Sequence, residues 1–301
     1  MRSFTMPLSR ALSIGLLVAT GASAQTTSQE ALRKGFEEQV RDLAADLNGV
    51  IGLAVKDLTS GESFSIDGDM VFTQASTIKL QILLELFTQA RDGKFSLDDP
   101  MTMKETDVTV GSGVLQRLTA GAVTMTIRDV ATLMIIVSDN TATNMMIDLV
   151  GMENVNRTVK GLGFTESRLQ RKMMDTAAWK ENRENLSTPN EVTRLLEMIH
   201  GAEVLDRQSC DEMLRILSIP KGSRIRELLP SDVRVAHKTG GVGGVVVDAG
   251  IVYVEGRPFV IAAMTNWVGD AGQAGRTISE IALAAYEYFD RLARSNRYGH
   301  R

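Results

Sequence analysis

Gln74-Ala75-Ser76-Thr77-Ile78-Lys79-Leu80 runs without a break into Gln81-Ile82-Leu83-Leu84-Glu85-Leu86-Phe87. A hydroxyl and an amine lie three residues apart at the start of a helical segment, a spacing that puts both on one face. The segment is apolar almost all round, which predicts a buried helix. Lys79 is then poorly solvated and sits near the positive end of the helix dipole, and both effects favour its neutral amine. A neutral Lys79 can take the proton of Ser76, which makes Ser76 a candidate nucleophile. Average composition yields roughly one S-x-x-K in a chain of this length. A second copy, Ser218-Ile219-Pro220-Lys221, is present, but Pro220 opposes the helical turn that would bring its two ends together.

Upstream, Leu32, Phe36, Val40, Leu43 and Leu47 recur at helical spacing and stop at Asn48-Gly49. Val50 to Asp57 and Glu62 to Ile66 read as a hairpin. Downstream, Asp98 to Ala122 is loop-like, Thr126 opens a capped apolar helix, and Ser138-Asp139-Asn140 interrupts it. The stretch from Gly163 to Pro189 has few periodic apolar positions and reads as a long loop of the kind that carries function. Helices follow at Asn190 to Ile199 and about Gln208 to Leu217. Strands follow at Val233 to Lys238, Val245 to Val254 and Pro258 to Asn266, then a last helix through Ile278, Ala285 and Leu292. Strands at both ends with helices between define an α+β plan: one antiparallel sheet flanked by helices, with an all-helical subdomain. The sheet part is expected over about 25–68 and 221–301, the helical part over about 69–220.

The first 24 residues, with Arg2 and Arg10, a short apolar run and Ala22-Ser23-Ala24, have the form of a secretory signal peptide, which leaves 25–301 as the catalytic domain. Export, to the periplasm or the medium, and no membrane insertion after cleavage are the expectations. A net charge of -4 without a basic block argues against nucleic acid. Cys210 is the only cysteine, so no internal disulfide is expected, and it reads as a structural thiol. His200, His237 and His300 form no ligand spacing, so neither a metal nor another cofactor is expected. The protein is expected to be a monomer.

Two tripeptides join the Ser76 pair: Ser138-Asp139-Asn140 at the helix break and Lys238-Thr239-Gly240 at a strand end. S-x-x-K, S-D-N and K-T-G in that order form a known catalytic set. At these residues the chain resembles the class A serine β-lactamases and penicillin-binding proteins, over nearly all of its length after the leader. The resemblance implies the β-lactamase/transpeptidase-like fold, with the site between sheet and helical part. It also implies acylation of Ser76 by a β-lactam or a peptidoglycan-like substrate. Carried over, Lys79 accepts the nucleophile's proton, and Ser138, helped by Lys238, passes one to the leaving nitrogen. Asn140 binds the substrate's side-chain amide, Lys238 and Thr239 hold its carboxylate, and the N–H groups of Ser76 and Gly241 form the oxyanion hole. Arg224 or Arg226 supplements the carboxylate site.

One part of the pattern is missing. The family's loop carries Glu-x-x-Leu-Asn, whose Glu activates the water that hydrolyses the acyl-enzyme, and here that Glu falls on Met173. Asp175 is the nearest carboxylate that could substitute, while Glu181 and Glu184, in a charge-rich run, read as solvated. Three activities follow: a β-lactam hydrolase with an atypical base, a D-alanyl-D-alanine peptidase or esterase, or a non-turnover β-lactam-binding protein.

Overall fold

The computed structural model describes residues 1, 27–296 and 298–300, so the expected signal peptide lies outside the described residues. Helix α1 (Ser28–Ala45) leads into strands β1 (Val50–Asp57), β2 (Ser63–Ile66) and β3 (Phe72–Thr73). A 3₁₀ turn at Ala75–Ile78 runs into α2 (Lys79–Arg91), followed by the short pair β4 (Pro100–Thr102) and β5 (Thr124–Thr126). Helices α3 (Ile127–Ile136), α4 (Asn140–Val150), α5 (Met152–Gly161) and α6 (Thr176–Lys180) come next, then β6 (Leu186–Ser187), α7 (Pro189–His200) and α8 (Arg207–Ser218). The chain closes with β7 (Val235–Val242), β8 (Val245–Val252), β9 (Phe259–Asn266) and α9 (Ala271–Ala293).

The main sheet has the order β2-β1-β9-β8-β7 and is antiparallel throughout. Its central strands are apolar on both faces, because each face is covered. Leu53, Val55, Phe259 and Ile261 point toward α1 and α9, whereas Ala249, Ile251, Ala262 and Met264 join the core of α2, α3, α4, α7 and α8. This is the expected α+β plan, one antiparallel sheet covered by helices on both faces. In the helical layer, α2 is buried almost all round, as its composition requires. Cys210 is buried in the same core, with its thiol donating to the Leu205 carbonyl.

Two local expectations change. The Gly163 to Pro189 loop contains α6 and β6, and β6 pairs with β3 directly ahead of the Ser76 turn. Strand β7 does not stop at Lys238 but continues through Gly240 to Val242 in register with β8. A backbone ladder needs no side chains, so Gly240 and Gly241 extend the strand, and the turn begins only at Gly243-Gly244.

Candidate active site

Four segments converge on Ser76. The Ser76 turn is clamped from below: the Gln74 N–H donates to the Asn185 carbonyl at 2.8 Å and the Gln74 side-chain amide to the Leu186 carbonyl at 2.7 Å. Ala75 has φ of +43°, a left-handed conformation uncommon for a residue with a Cβ. Ser138 at +53° and Met174 at +61° share it, so three corners of the site carry backbone strain. Gly240 brings the sheet close: a Cβ there would lie 2.6 Å from the Ser76 backbone nitrogen and 2.7 Å from Val247 Cγ2. Only glycine lets β7 pass this near Ser76.

Lys79 and Lys238 are buried and meet at one hydroxyl. Ser138 Oγ accepts from Lys79 Nζ at 2.9 Å and from Lys238 Nζ at 3.1 Å. Lys79 also donates to the Ser138 carbonyl at 2.8 Å, and Lys238 to the Thr239 carbonyl at 2.7 Å. Burial, then the charge of Lys238, pushes the Lys79 amine well below its ordinary value, against the pull of Asp139. Burial brings Lys238 down to about 7, with Asp248 opposing and Lys221 reinforcing the shift. Asp248 is buried on the far face of the sheet. Its burial disfavours the charge, yet His237 Nδ1 at 3.1 Å and hydrogen bonds from the Ile225 N–H and Ser223 Oγ hold the carboxyl below its usual range.

The helix break between α3 and α4 is fixed by Asp139. Its carboxylate accepts from the Ala142 N–H as a helix cap, and from Val114 and Leu115 N–H at 2.6 and 2.8 Å. Asn140 donates from its side chain to the Val110 carbonyl at 3.0 Å, tying the same loop to the site. Asn144, one turn on, holds Met173 by both backbone groups, accepting from its N–H at 2.8 Å and donating to its carbonyl at 3.2 Å.

A cavity of about 150 Å³ joins these parts, lined by Ser76, Asn140, Met173, Met174, Glu184 and Gly241 among others. Ser76, Asn140 and Gly241 are therefore brought together, with Lys79, Ser138 and Lys238 linked behind them. Asp175 is placed differently: it is the N-cap of α6, accepting from the Ala178 N–H at 2.9 Å, and is not among the cavity's lining. The carboxylate that does line the cavity is Glu184, which the charge-run reading had placed in solvent. Arg171 grips both its oxygens at 2.9 to 3.2 Å, and both side chains are mostly buried. Arg224 donates its N–H to Asp248 and lays its side chain beside Gly275 of α9. Among the described residues no group of three or more His, Cys, Asp or Glu is arranged to hold a metal.

A turn carrying Ser76, a hydroxyl held between two buried amines and a glycine strand edge beside the Ser76 N–H bring the S-x-x-K, S-D-N and K-T-G segments together in one site. Residues 35–289 match the Beta-lactamase enzyme family, and the chain belongs to it. Among its relatives, an imipenem-hydrolyzing beta-lactamase of Enterobacter cloacae is 26% identical over 245 residues, 79% of this chain and 83% of that protein. A beta-lactamase crystal structure from Sphaerobacter thermophilus has a TM-score of 0.79 at 32% identity, covering 84% of this chain and 96% of that one. A leucine-to-glutamate mutant of PBP-A, solved as an acyl-enzyme complex with penicillin G, has the same score at 30% identity, covering 85% and 97%.

Proposed function

We propose that the chain is an exported, monomeric serine hydrolase that opens β-lactams by acylation of Ser76, with release of the acyl group as its slow step. The observation that carries this reading is the hydrogen-bonded line from Lys79 through Ser138 to Lys238 beside the Ser76 cavity. Neutral Lys79 takes the Ser76 proton as the hydroxyl attacks the lactam carbonyl. Ser76 and Gly241 N–H groups receive the oxyanion, an effect worth about 3 kcal/mol per donor in other serine hydrolases. Ser138 gives its proton to the departing ring nitrogen and is resupplied from Lys79, so the proton lost by Ser76 ends on the leaving group. Lys238 and Thr239 hold the substrate carboxylate, and Asn140 its side-chain amide.

Release is less well provided for. The family's Glu is replaced by Met173, a residue that lines the cavity, and Asp175 is engaged as a helix cap. Glu184 offers a carboxylate, but both of its oxygens are held by Arg171. A weak base favours a long-lived ester, and the same site also suits a peptidase or esterase that β-lactams inhibit, or a protein that stays acylated. A chromogenic cephalosporin mixed with purified protein tests the reading. Turnover that continues slowly after a stoichiometric burst, absent in Ser76→Ala, supports it. A burst with no further turnover favours the other two activities, and no burst with intact Ser76 refutes every β-lactam reading.

A further inference from the structure

Ser138, Lys238 and Thr239, the groups that take the carboxylate end of a substrate, are not among the residues lining the cavity of about 150 Å³. Asn140, which takes the side-chain amide, does line it, so the cavity is room for whatever that amide carries. Met173 and Met174 on the loop and Val242 at the end of β7 give it apolar walls, beside the Arg171–Glu184 pair. Arg171 is fully engaged: its Nε and Nη2 donate to Glu184 and its Nη1 to the Lys172 carbonyl.

Met174 has φ of +61°, a left-handed backbone that Gly or Asn adopts more readily. Core packing does not offset this, because the residue is 49% exposed. Strain held at an exposed position beside an active site points to a functional side chain. The place of its sulfur indicates the function. A Cβ on Gly111 would lie 3.5 Å from Met174 Sδ and 2.6 Å from Asn140 Nδ2, so the thioether and the amide flank the same glycine. A group attached to the amide that Asn140 binds therefore meets the Met174 sulfur.

We infer that Met174 is a specificity-determining residue, which selects β-lactams whose acylamino side chain ends in a compact aromatic ring; this rests on the β-lactam reading of Ser76. Size favours such a ring, since an apolar cavity of about 150 Å³ takes up benzene. Chemistry favours it too, because a polarisable thioether packs well against an aromatic edge. Val242, 53% exposed, adds apolar surface that a ring would cover. An anionic side chain would lose water against the thioethers and find no free cation, because Arg171 is engaged.

Acylation of the full protein by three penicillins tests this. They share the bicyclic nucleus and the side-chain amide, and carry an acetyl, a phenylacetyl or an α-carboxylated phenylacetyl group. Second-order acylation rates, read by intact-mass spectrometry, should be at least about tenfold higher for the phenylacetyl compound than for either of the others. Met174→Asn, which suits the left-handed backbone, should cut the phenylacetyl-to-acetyl ratio several-fold, whereas the apolar Met174→Leu should keep most of it. Taking the ratio removes any loss of acylation common to both compounds, and thermal melting checks that each variant is folded. The proposal is overturned if the parent's ratio is near one, if the carboxylated compound acylates as fast as the phenylacetyl one, or if folded Met174→Asn keeps the parent's ratio. Acylation by none of the three, with Ser76 intact, would refute the β-lactam reading itself and this specificity with it.

Discussion

Met173→Glu should convert slow release into rapid turnover. Position 173 is favourable because its main chain is fixed on both sides by Asn144, at 2.8 and 3.2 Å, while the residue lines the cavity with Ser76. A carboxylate added there stands at the position on which the family's Glu falls. A positioned base contributes about 10²–10⁴-fold, equivalent to roughly 3–5 kcal/mol of barrier. Met173 is half-buried, so the new carboxylate keeps access to water, and the stability cost should be about 1 kcal/mol, a melting shift of roughly 2–4 °C. Intact-mass spectrometry after mixing with a penicillin reads the acyl-enzyme directly, and stopped-flow with a chromogenic cephalosporin gives the steady-state rate. The variant should show the parent's burst, an acyl-enzyme lifetime at least about a hundredfold shorter, and a steady-state rate raised to match. An unchanged lifetime in a folded, fully acylating variant would refute the assignment of position 173. A parent that never accumulates acyl-enzyme would refute slow release itself.

With Lys238 brought down to about 7, the free enzyme loses the ammonium that holds the substrate carboxylate above that pH, so kcat/KM for a β-lactam should fall on an alkaline limb near 7. Lys221→Met removes a charge that depresses Lys238 and should move the limb upward; a limb that stays in place sinks the coupling. For stability the sign is opposite. Between about 7 and 10.5 the unfolded Lys238 binds a proton that the folded one lacks, so urea titrations should show stability rising with pH across that window from this group. Gly240→Ala sets a Cβ 2.6 Å from the Ser76 nitrogen; about 1–3 kcal/mol of stability and roughly 10²-fold in acylation should be lost, and unchanged acylation would contradict the close approach. Glu184→Gln leaves Arg171 partly buried without its counter-charge, which should cost about 1–3 kcal/mol by chemical denaturation. Asp175→Asn should leave the acyl-enzyme lifetime within about twofold if its carboxylate acts only as a helix cap, whereas a 10²-fold lengthening would restore it as the base.

The parts of the site that were legible in the sequence are those whose chemistry is local. Ser76 and Lys79 are one turn apart, Asp139 caps the helix that its own sequence breaks, and Lys238-Thr239-Gly240 continues an apolar strand. What stayed hidden depends on distant partners. Glu184 looked solvated because its neighbours Glu181 and Arg183 are, but the chain turns after α6 and pairs Leu186 with Arg168, which carries Glu184 back to Arg171. Asn144 reads as an ordinary helix residue until the loop 29 positions later is laid over it. The role of Gly240 is also invisible locally, because the atom it makes room for belongs to residue 76.

Under the proposed function, attack and release draw on parts of the site that are supported differently. Ser76, Ser138 and Lys238 come from a clamped turn, a capped helix break and the sheet's edge strand β7, each held by hydrogen bonds. That support is strong enough to keep Ala75 and Ser138 at positive φ, so removing any one contact should let the strained corner relax and the two amines separate. The side opposite is a loop whose inward position is a thioether and whose inward carboxylate is already paired. Lys79 needs a low proton affinity to start the reaction, and the nearby ammonium of Lys238 helps to lower it. A free anion beside them would raise it again. A base at position 173 therefore acts on both steps: it supplies the water's proton acceptor and makes Lys79 more basic. If Met173→Glu accelerates release while moving the acid limb of acylation to higher pH, the two halves are electrostatically linked; if the acid limb does not move, Lys79 is tuned by burial and Lys238 alone.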